Sequence, residues 1–482
     1  MSSKSHLDNL NKNSLLSQIL IPLTWIMFLG NLALLVFNFS EFPSWTFGEL
    51  FQINGFSIVI WTVVAFFSAI VQMYATNYMK GFKRKPQFLL YCLAFSLSVM
   101  LFVISNHIAL MVLFWLLMGL IMAKLIGIDS EWKEAQNASR FARLNYLGGA
   151  LFFGIAITLL SYSTGAITKT EILANLETVP QWMSTVSGLC IITAAIIQSA
   201  IFPFHRWLLS AMTSPTPASA LMHAGFVNGA GILLTIFAPL LFSANVLLLI
   251  FIIGGLTAIL AQFSKLMQVN VKQKLACSTI AQMSFMVMQC GLGFFSAAIA
   301  HLILHGFYKA FLFLSAGEEI KRTLPKPPEK IVIKPLQTVI IGVSAILGGI
   351  LFAYLTGKGL KLDSGLFLTF IVALTVGQIV YNILNQTNIN VTQKLFVTPL
   401  LIIVGIGVYA LVFNGVTILM HDMPMANIAV ALTPVHIIFG IVFLIGFYIM
   451  LSGVFRKIPW LYVKLMNISQ PISKSIVSFK TN

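Results

Sequence analysis

The sequence predicts an all-α integral membrane protein of about fourteen transmembrane helices, one of them broken by proline. Three observations predict it. The 482-residue chain is 58% hydrophobic and only 9% charged, too apolar for a soluble globule with a polar skin. Its apolar residues fall in runs of about 18–23, long enough to cross a bilayer at 1.5 Å rise per residue. Its Lys and Arg, source of the net charge of +16, fall in alternate connectors between those runs.

The runs follow in order. The first, 19–39, comes after a polar stretch from Ser2 to Ser17 and has no small-residue cleavage site, so it reads as a retained span and not a signal peptide. Runs 54–75 and 87–104 flank Lys80, Lys83, Arg84 and Lys85, while 106–126 and 144–163 flank Lys133, Arg140 and Arg143. Runs 185–204 and 217–241 flank a segment with Pro203, Pro215 and Pro217. Runs 245–263 and 276–295 flank Lys265, Lys272 and Lys274. The most polar connector, 318–335, lies between 297–316 and 336–357 and holds Lys321, Arg322, Lys326, Lys330 and Lys334. Runs 365–385, 396–418 and 432–454 precede a tail with Arg456, Lys457, Lys464, Lys474 and Lys480.

The intervening connectors are poor in cations: 40–53 holds Glu41 and Glu49, and 419–431 holds Asp422. Only 358–363, with Lys358 and Lys361, fits the alternation less well. The pattern places both termini in the cytoplasm. It predicts a single polytopic domain at 19–454 in the cell's inner or plasma membrane, between cytoplasmic tails 1–18 and 455–482. Because the basic excess is topological, it does not argue for nucleic acid as a partner.

Several chemistries find no support. Cys92, Cys190, Cys277 and Cys290 lie scattered in apolar surroundings, without C-x-x-C or metal-ligand spacing. No glycine-rich dinucleotide or phosphate loop occurs. The expectation is a transporter subunit without a cofactor of its own, and not an enzyme.

Polar residues inside the spans carry the functional signal, because lipid tolerates them only where protein or a water-filled path satisfies them. His301, His305 and Lys309 recur every four residues, which puts them on one helix face, drifting by about 40° per step. Imidazole titrates near neutrality and a desolvated Lys can be brought toward it, so the triad reads as a proton relay. A polar packing seam, or a Lys reaching the interface, is the alternative. His223 and Asn228 follow the Pro215-Thr-Pro217 break and read as a gate or hydrated pocket, or else as a kink with a satisfied His. Gln198, just before the break, is pore lining or interhelical glue. Lys272 stands at a helix start, as an anchor or a path charge. His205 and Arg206 flank the break beside Trp207, where they would couple the path to a partner or serve as interface anchors.

The motifs also carry a resemblance. Asn54-Gly-Phe-Ser57, Met73-Tyr-Ala-Thr-Asn-Tyr-Met-Lys-Gly81, Ser199-Ala-Ile-Phe-Pro-Phe-His-Arg-Trp-Leu208, Pro215-Thr-Pro-Ala-Ser-Ala-Leu-Met-His223, Lys272-Gln-Lys-Leu-Ala-Cys-Ser-Thr279 and His301…His305…Lys309 resemble, in the same order, the antiporter-like membrane subunits of respiratory complex I and Mrp antiporters. The resemblance covers about residues 50–320. Phe204-His-Arg-Trp207 and Met222-His-Ala-Gly-Phe-Val-Asn228 resemble the DabB-type subunits of inorganic-carbon transporters. It implies an antiporter-like fold and an energy-coupling role in bicarbonate or carbon dioxide uptake, conducting protons or Na+. It also implies a soluble DabA-like partner related to zinc carbonic anhydrases, with the zinc in that partner. Ion passage would involve His223, Lys272, His301, His305, Lys309 and Gln198. Two positions depart from the complex I pattern: Trp115 is followed by Leu116 where the family has a glutamate, and Gln198 stands where it has a lysine. A complex I or Mrp proton-translocating subunit and a passive anchor for a soluble enzyme are the competing expectations.

Overall fold

The computed structural model describes residues 2–39, 41–316, 335–385 and 390–472. The connector read at 318–335 lies outside the described residues except for Pro335, as does the tail from 473.

Helices account for most of the described residues. They are α1 (Ser2–Phe37), α2 (Gly55–Tyr78), α3 (Lys85–Ile104), α4 (Ile108–Ile126) and α5 (Lys133–Thr164), then a short connector helix α6 (Lys169–Ala174) and α7 (Gln181–Gln198). The interrupted region follows as α8 (Arg206–Ser210), α9 (Thr216–Ala224), α10 (Gly229–Ile236) and α11 (Ala238–Ser243). The second half contains α12 (Leu247–Met267), α13 (Val271–Gly291), α14 (Phe295–Ala316), α15 (Pro335–Thr356), α16 (Ser364–Leu384), α17 (Val391–Leu419), α18 (Pro434–Ser452) and α19 (Pro459–Ile468).

Among the described residues, 12 helical segments are long and apolar enough to span a membrane, with the shorter apolar helix Pro434–Met450 beside them. That helix and α13 complete the correspondence with the fourteen apolar runs. α13 is a special case: Lys272, Gln273, Gln282 and Gln289 dilute its hydropathy, yet most of its residues are buried inside the protein. Protein, not lipid, surrounds it, so polar side chains are tolerated there.

The connectors on the face opposite the basic loops are stitched together. A hairpin pairs β1 (Trp45–Phe47) with β2 (Phe51–Ile53) antiparallel. The Leu50 carbonyl accepts from Asn106 N at 2.8 Å, and Asn106 O accepts from Lys169 N at 2.7 Å. Isolated bridges join Phe294 to Asn427 and Asp363 to Ala431. In this connector cap, burial pulls the Lys169 amine down to about 8, with Asp422 pulling it back up.

The centre of the molecule is the broken span. Thr216–Ile236 is wholly buried, whereas α1, α15 and α17 are mostly exposed along their apolar windows. Each interruption there leaves backbone groups that need partners. At the first, past the end of α7, Trp207 Nε1 donates to the Ile197 carbonyl at 2.8 Å. Ser199 Oγ donates to Val227 O and accepts from Ala230 N at 3.0 Å. A second interruption lies at Gly225, where a Cβ would meet Leu221 O at 3.0 Å and Phe95 Cε1 at 3.2 Å. Asn228 Nδ2 satisfies the carbonyl freed there, Ala224 O, at 2.7 Å. The two runs read at 185–204 and 217–241 are therefore a set of shorter helices, with the chain cut at Gln198 and again at Gly225.

Candidate functional site: a buried cationic and imidazole line

α14 carries three of the sequence-predicted residues. The rings of His301 and His305 lie 6.0 Å apart, nearly parallel at 18°. His301 leans on Phe285 of α13 at 5.4 Å. Lys309 is fully buried, and its Nζ donates to the Leu275 carbonyl at 3.1 Å. That carbonyl sits in the first turns of α13 and also accepts from Thr279 Oγ1 at 3.1 Å. Gly306, next to His305, packs tightly against the neighbouring helices. A Cβ on Gly306 would fall 2.5 Å from Phe67 Cε2 and 3.2 Å from Ala224 O.

The broken span supplies the fourth residue. His223, in the last turn of α9, is fully buried and stacks on Phe313 of α14 at 4.3 Å and 16°. Charge coupling reaches it from Lys309 and from Lys272, and joins His305 to Lys309, His301 and His223. Lys272 Nζ donates to Ser214 O at 2.8 Å, and Gln273 Nε2 to Leu209 O at 3.1 Å. The start of α13 thus clamps the connector 199–215 from within. Both ring nitrogens of His223 and of His305, and Nε2 of His301, have no hydrogen-bond partner among the described residues.

The structure therefore brings together His223, Lys272, His301, His305 and Lys309 and sets the other three candidates apart. Gln198 ends α7 beside Gly229, where a Cβ would meet its Cγ at 2.7 Å and the Trp115 ring at 3.4 Å. It stands at the first interruption and packs on Gly229 beyond the second, not on the imidazole line. His205 is buried, with its Nε2 2.8 Å from Ile468 O of α19. Burial pulls its imidazole below the usual value, and that carbonyl pulls it back up. Arg206 is exposed and donates to Asn467 O at 3.3 Å. Both residues bind α19, the last helix among the described residues.

Sequence reasoning missed what lies beyond His301. A cavity of about 490 Å³ opens there among α12, α13, α16, α17 and α18, lined by His301, Gln262, Gln282, Gln378, Thr375 and Tyr409 within an otherwise apolar wall. Gln289 Nε2 donates to Tyr409 Oη at 3.3 Å nearby. The only sequence signal was the set of neutral amides on separate helices, which becomes a wall only once the helices pack.

Residues 105–331 match the family model for the NADH:quinone oxidoreductase/Mrp antiporter transmembrane region. The probable inorganic carbon transporter subunit DabB1 of Halothiobacillus neapolitanus is 36% identical over 292 residues, 58% of this chain and 52% of that one. The probable DabB of Bacillus subtilis is 36% identical over 258 residues, 52% of this chain and 50% of that one. NADH-ubiquinone oxidoreductase chain 5 of Metridium senile is 33% identical over 315 residues, 64% and 52% of the two chains. The chain spans about half the length of the relatives it matches.

Two solved structures share the fold. The Mrp complex of a Dietzia species aligns with a TM-score of 0.57 at 20% identity, over 94% of this chain and 49% of that one. The archaeal membrane-bound sulfane sulfur reductase aligns at 0.57 and 18% identity, over 97% of each chain.

Proposed function

Because residues 105–331 match the NADH:quinone oxidoreductase/Mrp antiporter family model and the chain is similar to DabB subunits, we propose that it is the proton-conducting, energy-coupling membrane subunit of an inorganic-carbon uptake system. The observation that carries this reading is the line Lys272, Lys309, His305, His301, with His223 beside it, in which Lys309, His305 and His223 are buried and the two ends half-buried. It contains two amines and three imidazoles. Such groups load and release protons, whereas Na+ is held by oxygen ligands. Protons therefore suit the line better than sodium.

In this reading the basic face is cytoplasmic and both termini lie there. Hydration of carbon dioxide releases one proton for each bicarbonate formed, so a path that handles that proton couples hydration to the transmembrane gradient. The hydration itself belongs to a soluble DabA-like partner, and its zinc with it. His301 and His305 would be the titrating carriers, and Lys309 the charge that biases them. His205 and Arg206, beside the break on the basic face, would transmit contact with the partner. The chain itself would catalyse nothing and hold no cofactor.

A complex I or Mrp role is favoured by the relatives named as NADH-ubiquinone oxidoreductase chain 5. It is disfavoured by Leu116 and Gln198, which remove the carboxylate and the amine expected at those places. Co-expression with the soluble partner in a carbonic-anhydrase-deficient host tests the proposal. Growth in air is expected to be restored, and lost when His301 and His305 are both alanine. Uptake undiminished in that double variant, with the complex still on the membrane, would leave the chain a passive anchor. No growth with both wild-type proteins present would count against carbon uptake.

A further inference from the structure

The first part of the tail read from residue 455 is folded against the helices as far as Ile472. Gly453 turns the chain with φ 66°, a 3-10 turn covers Val454–Lys457, and α19 follows. Its inner side packs Phe455 and Leu465 against Met267, with Phe263 and Leu266 alongside. Those three residues are the last turns of α12, so α19 lies at the basic-face end of the spans. Its outer side shows Trp460 at 64% exposure and Val463 at 54%. Arg456, Lys457 and Lys464 are exposed too, with Lys464 Nζ 5.6 Å from the Trp460 ring centre. No Asp or Glu occurs between Arg456 and Ile472.

The far end of α19 does something different. Its terminal carbonyls carry the negative end of the helix dipole and need donors. Arg206 takes Asn467 O at 3.3 Å and His205 takes Ile468 O at 2.8 Å. Gln268 Nε2 takes Ser469 O at 2.9 Å, and Ile472 N donates to Ser210 Oγ at 3.2 Å. Three of these contacts fall on the connector 199–215, the same segment that Lys272 and Gln273 clamp from the inner side.

We propose that α19 is a membrane-surface helix that binds anionic phospholipid headgroups and, through its C-terminal carbonyls, holds the proline-broken segment in register. An aromatic and aliphatic outer face bordered by cations, at the end of a helix bundle, is the composition of an interfacial helix. Its uniform positive charge complements an anionic leaflet. Apart from its three cations, Asn467 and the Tyr462 hydroxyl, the outer face is apolar.

The test uses the full-length chain in nanodiscs of phosphatidylcholine, with or without phosphatidylglycerol. A spin label at Val463→Cys, in a Cys190→Ser background, is expected to be more accessible to oxygen than to a water-soluble nickel reagent. It should sit deeper when phosphatidylglycerol is present. In native mass spectra the exposed triple variant R456Q/K457Q/K464Q is expected to retain less phosphatidylglycerol, by about fivefold for each cation removed. Backbone exchange across residues 206–214 should then speed up several-fold. A label that stays in water whatever the lipid overturns the surface-helix assignment. So does a label immobilised only by a soluble protein, which would make α19 a docking helix. Unchanged exchange in a variant that has lost the lipid overturns the link to the broken segment.

Discussion

Replacing Lys309 with methionine separates what this side chain does for stability from what it does for transport. Lys309 is fully buried, with its ammonium on the Leu275 carbonyl at 3.1 Å and 5.7 Å from the Tyr308 ring centre. Placing a lysine at mid-span costs about 2.5–3.5 kcal/mol on insertion scales. A charge-assisted hydrogen bond returns about 1.5–3 kcal/mol, so the two nearly cancel. Methionine keeps the length of the stem and removes the charge. The Leu275 carbonyl keeps its bond from Thr279 Oγ1, so no acceptor is orphaned. Stability of the variant is therefore expected to stay level or rise by up to about 2 kcal/mol. Proton flux should fall at least tenfold, as expected when a charge that biases the carriers is lost. Chemical unfolding in detergent gives the first quantity, and a pH-sensitive dye inside proteoliposomes gives the second. A variant less stable by more than about 2 kcal/mol would make Lys309 a structural strut, because that exceeds the near-cancellation above. Wild-type flux would remove it from the path.

Further outcomes follow from the geometry. Gly306→Ala drives a methyl into Phe67 and is expected to cost about 1–3 kcal/mol, partly restored by Phe67→Leu; unchanged stability would refute the close packing of α14 on α2. For Lys169, whose amine burial pulls down from 10.5 to about 8, the sign is set by the charged form being disfavoured in the fold. Below pH 8 the amine is charged in both folded and unfolded chains and the burial cost is fully present. Between pH 8 and 10.5 only the unfolded chain keeps the proton, so that cost fades as pH rises. Lys169→Met should therefore melt higher than wild type at pH 7, with the gap closing toward pH 10; a constant gap would show that the amine is not desolvated. Alanine at both His301 and His305 should abolish proton flux in proteoliposomes while leaving membrane insertion intact.

Much of the architecture was readable because lipid enforces it. Each apolar run has one helix or group of helices to match. Where the reading differed, burial in protein had replaced lipid as the solvent. α13 keeps Gln289 because helices surround it, and the span at 217–241 can be cut at Gly225 because Asn228 satisfies the freed Ala224 carbonyl. The α14 triad was legible since four-residue spacing survives folding as a shared face. The wall beyond His301 was not, since Gln262, Gln282, Gln378 and Tyr409 come from four helices and share no spacing.

The broken segment shows the division most clearly. The sequence by itself pointed to a break where Pro203, Pro215 and Pro217 cluster, because proline lacks the donor and clashes with the preceding turn, although the single prolines Pro22 and Pro399 sit inside α1 and α17. It also determined that His223 would lie within the apolar part that follows. Only the tertiary structure decided who meets the freed groups. Ser199 and Trp207 serve the upstream break, Lys272 and Gln273 hold its connector from α13, and His205 and Arg206 hold the end of α19, about 260 residues away. Hydrogen-bond partners at such separations are chosen by how helices pack, and that choice leaves no local pattern in the chain.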